Sequence, residues 1–248
     1  MTFVKICGIT SEADALLAVG LGADALGFIF APSPRQIAPT AVSDIVKRLP
    51  HGVLTVGVFR DDAPRRVVEI ANQIGLGAVQ LHGHETAEDT RWVRERVSCT
   101  IKAFPAGDRT IDRFDEFGAD YLLIDGPSPG SGEVFDWRLG EGVVDPNRLI
   151  VSGGLRPDNV ADAISHLHPF GVDVATGVEA APGRKDPQKL REFVANARRA
   201  AAEVAAEHPP QPDDEADARR VTGGRTTGAP GGGAEIAPGD TPYDWMDG

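Results

Sequence analysis

Cysteine is nearly missing from this chain of 248 residues, which carries only Cys7 and Cys99. Two cysteines cannot build a disulfide framework, and they point to a reducing compartment, with the cytoplasm as the default. No apolar run approaches the roughly 20 residues of a membrane span. The N-terminus passes straight into a strand-like run, so no signal peptide is expected. A basic stripe for nucleic acid is also lacking: the formal charge is −12. Residues 201–248 hold ten acidic against three basic residues, so most of that excess lies at the C-terminal end. The remainder is mildly acidic, and a local site can still bind a phosphate. No G-x-G-x-x-G follows the first apolar run, which weighs against a dinucleotide fold.

What is present is a regular alternation. Short apolar runs at Phe3–Cys7, Ala25–Phe30, Leu54–Phe59, Ala78–Leu81, Thr100–Phe104, Tyr121–Asp125, Leu149–Ser152 and Val172–Ala175 read as strands. Apolar residues at helical spacing mark Ser11–Gly20, Thr40–Leu49, Pro64–Ile74, Thr86–Arg96, Asp158–Leu167 and Pro187–Ala206. A short helical piece is expected around Trp137–Val143 in the sixth crossover. Near-continuous hydrophobic strands in this rhythm imply a parallel sheet buried on both faces. Gly22, Gly77, Gly118 and Gly171 each stand just before an even-numbered strand, as four copies of a quarter barrel would have them. Each is read as the left-handed cap of the preceding helix. Length and rhythm together give an α/β fold, a single (βα)8 TIM barrel over residues 1–206. Residues 207–248 are rich in Pro, Gly and acid, and read as a disordered extension. Its last residues, Pro242–Asp247, group aromatics with acids, and an unstructured tail and a weak partner-docking motif are both open.

In such a barrel, chemistry gathers at the C-terminal ends of the strands. Cys7 closes the first strand and Asp125 the sixth, across the mouth from each other. Cys7 is either a small buried hydrophobe or a reactive thiol. Phe3, Lys5 and Cys7 share one strand face, so a lysine about 7 Å below the thiol would lower its pKa. Asp125 is either a cap for the following glycine-rich segment or an acid kept protonated by its apolar surroundings. Lys5 could also pair with Asp173 across strands one and eight, unless Asp173 merely repeats the strand-start acids Asp24 and Asp120. Gly153 and Gly154 after strand seven, with Thr176 and Gly177 after strand eight, offer backbone N–H groups for a phosphate, or are ordinary turn residues. Arg35 suits a carboxylate or phosphate partner, or simply lies in solvent. His82 and His84 lack a third ligand at metal spacing, so His82 reads as lining the mouth and no metal is expected. Cys99 reads as structural.

The ordered set Lys5-Ile-Cys-Gly-Ile-Thr10, Val79-Gln-Leu-His-Gly83, Leu123-Ile-Asp125, Phe135-Asp-Trp137, Gly153–Asn159, Gly171–Glu179 and Pro182–Asp186 resembles the phosphoribosylanthranilate isomerase family. The resemblance runs from residue 3 to about 197. It implies an Amadori rearrangement of N-(5-phosphoribosyl)anthranilate in tryptophan synthesis, with no cofactor and no metal. It further implies Asp125 as general acid and Cys7 as general base. Arg35 would hold the anthranilate carboxylate, with His82 and Asp173 also at the substrate, and Gly153, Gly154, Thr176 and Gly177 at its phosphate. The chain departs from the family where Ala175-Thr-Gly177 replaces the frequent Ser-Ser-Gly, which loses a hydroxyl. The glycine-rich Asp125–Gly132 run differs as well. The rivals are the sister barrel isomerase of histidine synthesis, a dual-substrate enzyme, and a catalytically retired barrel kept for binding. The expected partner is a small phosphorylated substrate, with neither nucleic acid nor membrane, acting on a monomer or homodimer.

Overall fold

The computed structural model describes residues 2–126 and 145–207. Eight parallel strands follow one another around a closed barrel: β1 (Phe3–Ile6), β2 (Ala25–Ile29), β3 (Leu54–Phe59), β4 (Ala78–Leu81), β5 (Thr100–Pro105), β6 (Tyr121–Asp125), β7 (Leu149–Val151) and β8 (Gly171–Val174). Pairing of β1 with β8 closes it, setting Lys5 opposite Asp173 and Ile6 opposite Val174. Outside lie α1 (Glu12–Gly20), α2 (Pro39–Val46), α3 (Pro64–Ile74), α4 (Ala87–Arg94), α5 (Phe114–Phe117), α6 (Val160–Leu167) and α7 (Pro187–Glu207). A short antiparallel hairpin, β9 (Glu179–Ala181) and β10 (Arg184–Lys185), follows β8.

Local chemistry sets the helix starts. The Ser11 hydroxyl accepts from the Asp14 N–H at 3.2 Å, and the Thr86 hydroxyl from the Asp89 N–H at 3.1 Å. Each satisfies a backbone donor that the first turn leaves open. Helix α7 buries Leu190, Phe193, Val194, Ala197, Ala200 and Ala201, the stripe of a helix lying along a core. Its Arg198 guanidinium donates to the Thr2 carbonyl (2.6 Å), the Gly22 carbonyl (2.7 Å) and Asp24 (2.7 Å). The last helix is thereby tied to the first two strands.

Two apolar layers result. A large shell between barrel and helices includes Val4, Ile6, Leu26, Phe28, Phe59 and Phe193. Inside the barrel, Ala25, Val56, Ala78, Ile101, Ala103, Leu123 and Ile150 pack together. Three of these are alanines, which leaves room for a buried lysine, Lys5. Phe170 stacks on Phe3 (5.3 Å between centroids) and on Tyr121 (4.6 Å), below that interior layer.

The structure adds an element not read from the sequence, revises the glycine repeat and decides an alternative left open. Between β5 and β6 the chain forms a 3-10 segment, Arg109–Arg113, and the single turn α5. Its buried residues Ile111, Phe114 and Phe117 recur every third residue, over too short a span to show as a helical stripe. The four-glycine repeat also divides in two. Gly22 and Gly118 have positive φ (97° and 66°) where helices end. Gly77 and Gly171 do not; there a Cβ would crowd Leu54 Cδ1 (2.6 Å) or the Phe3 carbonyl (2.9 Å). Gly75 and His168 close α3 and α6 in their stead. Finally, Asp173 does not repeat Asp24 and Asp120. Those two precede their strands and accept from the Val4 and Thr100 N–H groups at 2.7 and 2.8 Å, whereas Asp173 lies within β8 facing Lys5. The helical piece near Trp137–Val143, the Phe135–Trp137 motif and the extension from His208 onward lie outside the described residues.

Candidate active site

At the C-terminal mouth the strand ends enclose a cavity of about 370 Å3, bordered by Cys7, Asp125, Arg35, His82, Asp173, Gly153, Gly154, Thr176 and Gly177. That volume suits a small ligand. All nine sequence-derived candidates thus converge, although they come from six different strand exits. Cys7 and Asp125, 118 positions apart, border one cavity only because the barrel is closed.

Cys7 sits one residue beyond β1 and is 5% exposed. Its N–H donates to the Val174 carbonyl at 2.8 Å, and its carbonyl accepts from Lys185 Nζ at 2.6 Å. Beneath it, Lys5 Nζ donates to Asp173 Oδ1 at 2.8 Å. Lys5 does act to lower the thiol pKa, as expected, but the net shift is upward. Burial pushes the thiol above its ordinary range; Lys5 and Lys185 pull it down, while the Asp173 charge works with burial. Desolvation is the largest of these effects and sets the sign of the shift. Burial works to lower the Lys5 pKa, but Asp173 and Cys7 together hold it above the usual lysine range.

Asp125 ends β6 and is 6% exposed. Its Oδ1 accepts from the Gly126 N–H at 2.9 Å, and Oδ2 lies 3.2 Å from His82 Nε2. The other ring nitrogen of His82, Nδ1, is 2.7 Å from Gln80 Nε2.

The glycine corner is built by close backbone approach. Gly153 and Gly154 both have positive φ (79° and 66°). A Cβ on Gly153 would overlap the Gly126 amide, and one on Gly177 the Leu155 carbonyl. The exits of β6, β7 and β8 are therefore packed backbone to backbone. Asn159, ahead of α6, locks the loop: Oδ1 accepts from the Arg156 N–H (2.7 Å) and Nδ2 donates to the Gly154 carbonyl (3.0 Å).

Arg35 is not a solvated surface arginine. Its Nε and Nη2 donate to the two carboxylate oxygens of Glu179, each at 2.8 Å, and Nη2 also donates to the Thr176 hydroxyl at 3.2 Å. Burial works to raise the Glu179 pKa, yet Arg35 and Lys185 hold it below the usual carboxylate range. Asp173 borders the cavity floor with both oxygens engaged, Oδ1 by Lys5 and Oδ2 by the Ser152 hydroxyl at 3.4 Å. Among the described residues no three His, Cys, Asp or Glu side chains converge as a metal site would need.

The profile of the family described as N-(5'-phosphoribosyl)anthranilate (PRA) isomerase matches residues 4–196. The isomerase of that name from Desulforudis audaxviator is 51% identical over 207 residues, covering 81% of this chain and all of the relative. The chain belongs to the phosphoribosylanthranilate isomerase family. A solved relative from Thermus thermophilus shares 41% identity at a TM-score of 0.75, covering 80% of this chain and 99% of that one. A second solved phosphoribosylanthranilate isomerase, in complex with reduced 1-(o-carboxyphenylamino)-1-deoxyribulose 5-phosphate, is 41% identical at a TM-score of 0.72. It covers 80% of this chain and all of its own. The chain is thus an enzyme, an isomerase of tryptophan synthesis. Of the two barrel isomerases weighed from the sequence, the match is to this one.

Membership in the phosphoribosylanthranilate isomerase family makes sense of where the motifs fall. Lys5–Thr10, Val79–Gly83 and Gly171–Glu179 cross a strand's C-terminal end, Leu123–Asp125 reaches one, and Gly153–Asn159 begins just beyond one. Sequence reasoning quoted Gln80, Glu179 and Lys185 within these motifs without assigning them roles, and passed over Gly27. Gln80 was legible as a polar residue inside an apolar strand, two positions from His82 and so on the same face. Lys185 was not: beside its hairpin neighbour Glu179 (3.2 Å), its ammonium binds the Ala175 carbonyl (3.0 Å) and the Cys7 carbonyl, 178 positions away.

Proposed function

We propose that Asp125 and Cys7 act as general acid and general base on N-(5-phosphoribosyl)anthranilate, giving 1-(2-carboxyphenylamino)-1-deoxyribulose 5-phosphate. Asp125 protonates the furanose ring oxygen and the ring opens to a Schiff base. Cys7, as the thiolate, removes the C2′ proton, and the resulting enolamine tautomerises to the ketoamine. C1′ is reduced and C2′ oxidised within one molecule, so no external electron carrier enters the balance. The observation that carries this reading is the convergence of a thiol from β1 and a carboxyl group from β6 on one small cavity.

The remaining wall fits the rest of the substrate. Backbone N–H groups around Gly153, Gly154, Thr176 and Gly177 suit the phosphate. Glu179 fixes the Arg35 fork through Nε and Nη2, which leaves Nη1 for the anthranilate carboxylate. His82 borders the cavity beside Asp125, and Asp173 supports the floor beneath Cys7. Two free thiols are in keeping with the cytoplasm as the working compartment.

Substrate generated in situ tests this directly. Wild-type turnover abolished by both Cys7→Ala and Asp125→Asn is the expected result. Retained turnover in either variant would remove that residue from its role.

A further inference from the structure

We propose that Gln80 is a positioning residue whose side-chain amide selects the tautomer of His82 and, through it, the hydrogen-bond state of Asp125. The inference deepens the reading of Asp125 as general acid and rests on it.

Gln80 is an anomaly in β4. It is 1% exposed, flanked by Val79 and Leu81, and one end of its amide touches His82 Nδ1 while Oε1 has no hydrogen-bond partner. A buried polar atom without a partner costs about 1–3 kcal/mol, so an apolar residue would serve the core better. Turning the amide over would leave its NH2 end in the same unpartnered place. The surroundings therefore do not fix the orientation of the amide. What fixes it is whether His82 Nδ1 carries a proton.

Two arrangements follow, differing by one proton. In the first, Gln80 Nε2 donates to a bare Nδ1, so the neutral imidazole carries its proton on Nε2 and donates to Asp125 Oδ2. Both Asp125 oxygens then accept, Oδ1 from the Gly126 N–H, as an ionised carboxylate requires. This is the state of the acid after its proton has gone to the substrate. In the second, Nδ1–H donates to Gln80 Oε1, Nε2 is bare, and it can accept from a protonated Oδ2. The first converts to the second when the amide turns over, the proton that Cys7 took from C2′ and released to solvent reaches Nδ1, and the Nε2 proton passes to Oδ2. His82 ends neutral, and Asp125 is recharged. The titratable and charged groups that border the same cavity are Arg60 beyond β3, Cys7, Arg35, Arg156, Asp173 and Lys189, with Lys5 buried behind Asp173. The Lys102–Glu85 ion pair is buried under the β4 exit.

The test reads the imidazole itself. In uniformly 15N-labelled full-length protein, long-range 1H–15N spectra separate the two tautomers, and His82 is assigned by its loss in His82→Asn. In the free wild type the proton is expected on Nε2, as the placement of Gln80 Nε2 against Nδ1 implies, and the second arrangement must form before Asp125 can protonate the substrate. Gln80→Glu places a carboxylate beside Nδ1 and is expected to protonate it. Gln80→Met, which can neither donate nor accept there, is expected to lower kcat at least tenfold with KM within twofold. Identical His82 signals in wild type and Gln80→Glu, or kcat of Gln80→Met within twofold of wild type, would overturn the proposal. Asp125→Asn run beside them keeps the two ideas apart. If that variant turns over normally the acid assignment fails, whereas the His82 signals still report on Gln80.

Discussion

Lys5 Nζ donates to Asp173 Oδ1 at 2.8 Å in the barrel interior, where the two side chains are 0% and 5% exposed. Residues 168 apart thus form a buried ion pair directly beneath the proposed base. Breaking such a pair from one side costs about 3–5 kcal/mol.

That pair bears on the pH–rate profile. Cys7 is held above the ordinary thiol range, so a reaction that needs its thiolate rises with pH on the alkaline side. Lys5→Met removes a charge that favours the thiolate and leaves the Asp173 charge, which opposes it. The rising limb is expected to move to higher pH, at about tenfold in rate for each unit at a fixed pH below the limb. Adding Asp173→Asn should recover part of both the shift and the lost stability. A limb that stays in place in Lys5→Met would show that the pair does not tune the thiol.

Gly27 on β2 makes the space that Cys7 uses. A Cβ there would lie 2.7 Å from Cys7 Sγ and 3.0 Å from Lys5 Nζ. Gly27→Ala must push the thiol aside, and a displacement of about 1 Å at a reacting atom costs on the order of 100-fold. The expected outcome is a kcat lowered roughly 10- to 100-fold, KM little changed, and an unaltered far-UV circular dichroism spectrum. Steady-state kinetics on the purified variant decide it.

At the phosphate corner the sign is reversed, with binding lost and chemistry kept. Gly177→Ala forces the β8 exit away from the Leu155 carbonyl and spreads the backbone donors. KM for substrate and the inhibition constant of inorganic phosphate should both rise, about tenfold, while kcat holds within a few-fold. An unchanged phosphate inhibition constant would place the anion elsewhere.

Cys99, at the start of β5, carries a stability prediction. Burial, with the Asp120 charge adding to it, raises its thiol from near 9 to about 12. The folded state therefore keeps a proton that the unfolded chain gives up above pH 9. The contribution is fully present below pH 9 and is lost as pH rises toward 12, at about 1.4 kcal/mol per unit. Denaturant melts of Cys99→Ala should fall less steeply between pH 9 and 11 than those of the wild type. Parallel slopes in the two proteins would refute the assignment.

The sequence by itself determined the eight barrel strands, most of the helices and their order. Near-continuous apolar runs and helical apolar spacing are properties of neighbours along the chain, so the strands are legible to within one residue at either end. Cys7 and Asp125 were legible for the same reason, as polar residues ending apolar runs. Only tertiary structure decided what surrounds them. The pairing of Lys5 with Asp173, the docking of Arg35 on Glu179, the reach of Lys185 to the Cys7 carbonyl and the approach of His82 to Asp125 all join separate elements through barrel closure. The direction of the Cys7 shift belongs to that second group. A lysine two residues away suggests a depressed thiol, but desolvation is set by everything that packs around the group, and in the closed barrel it outweighs the lysine.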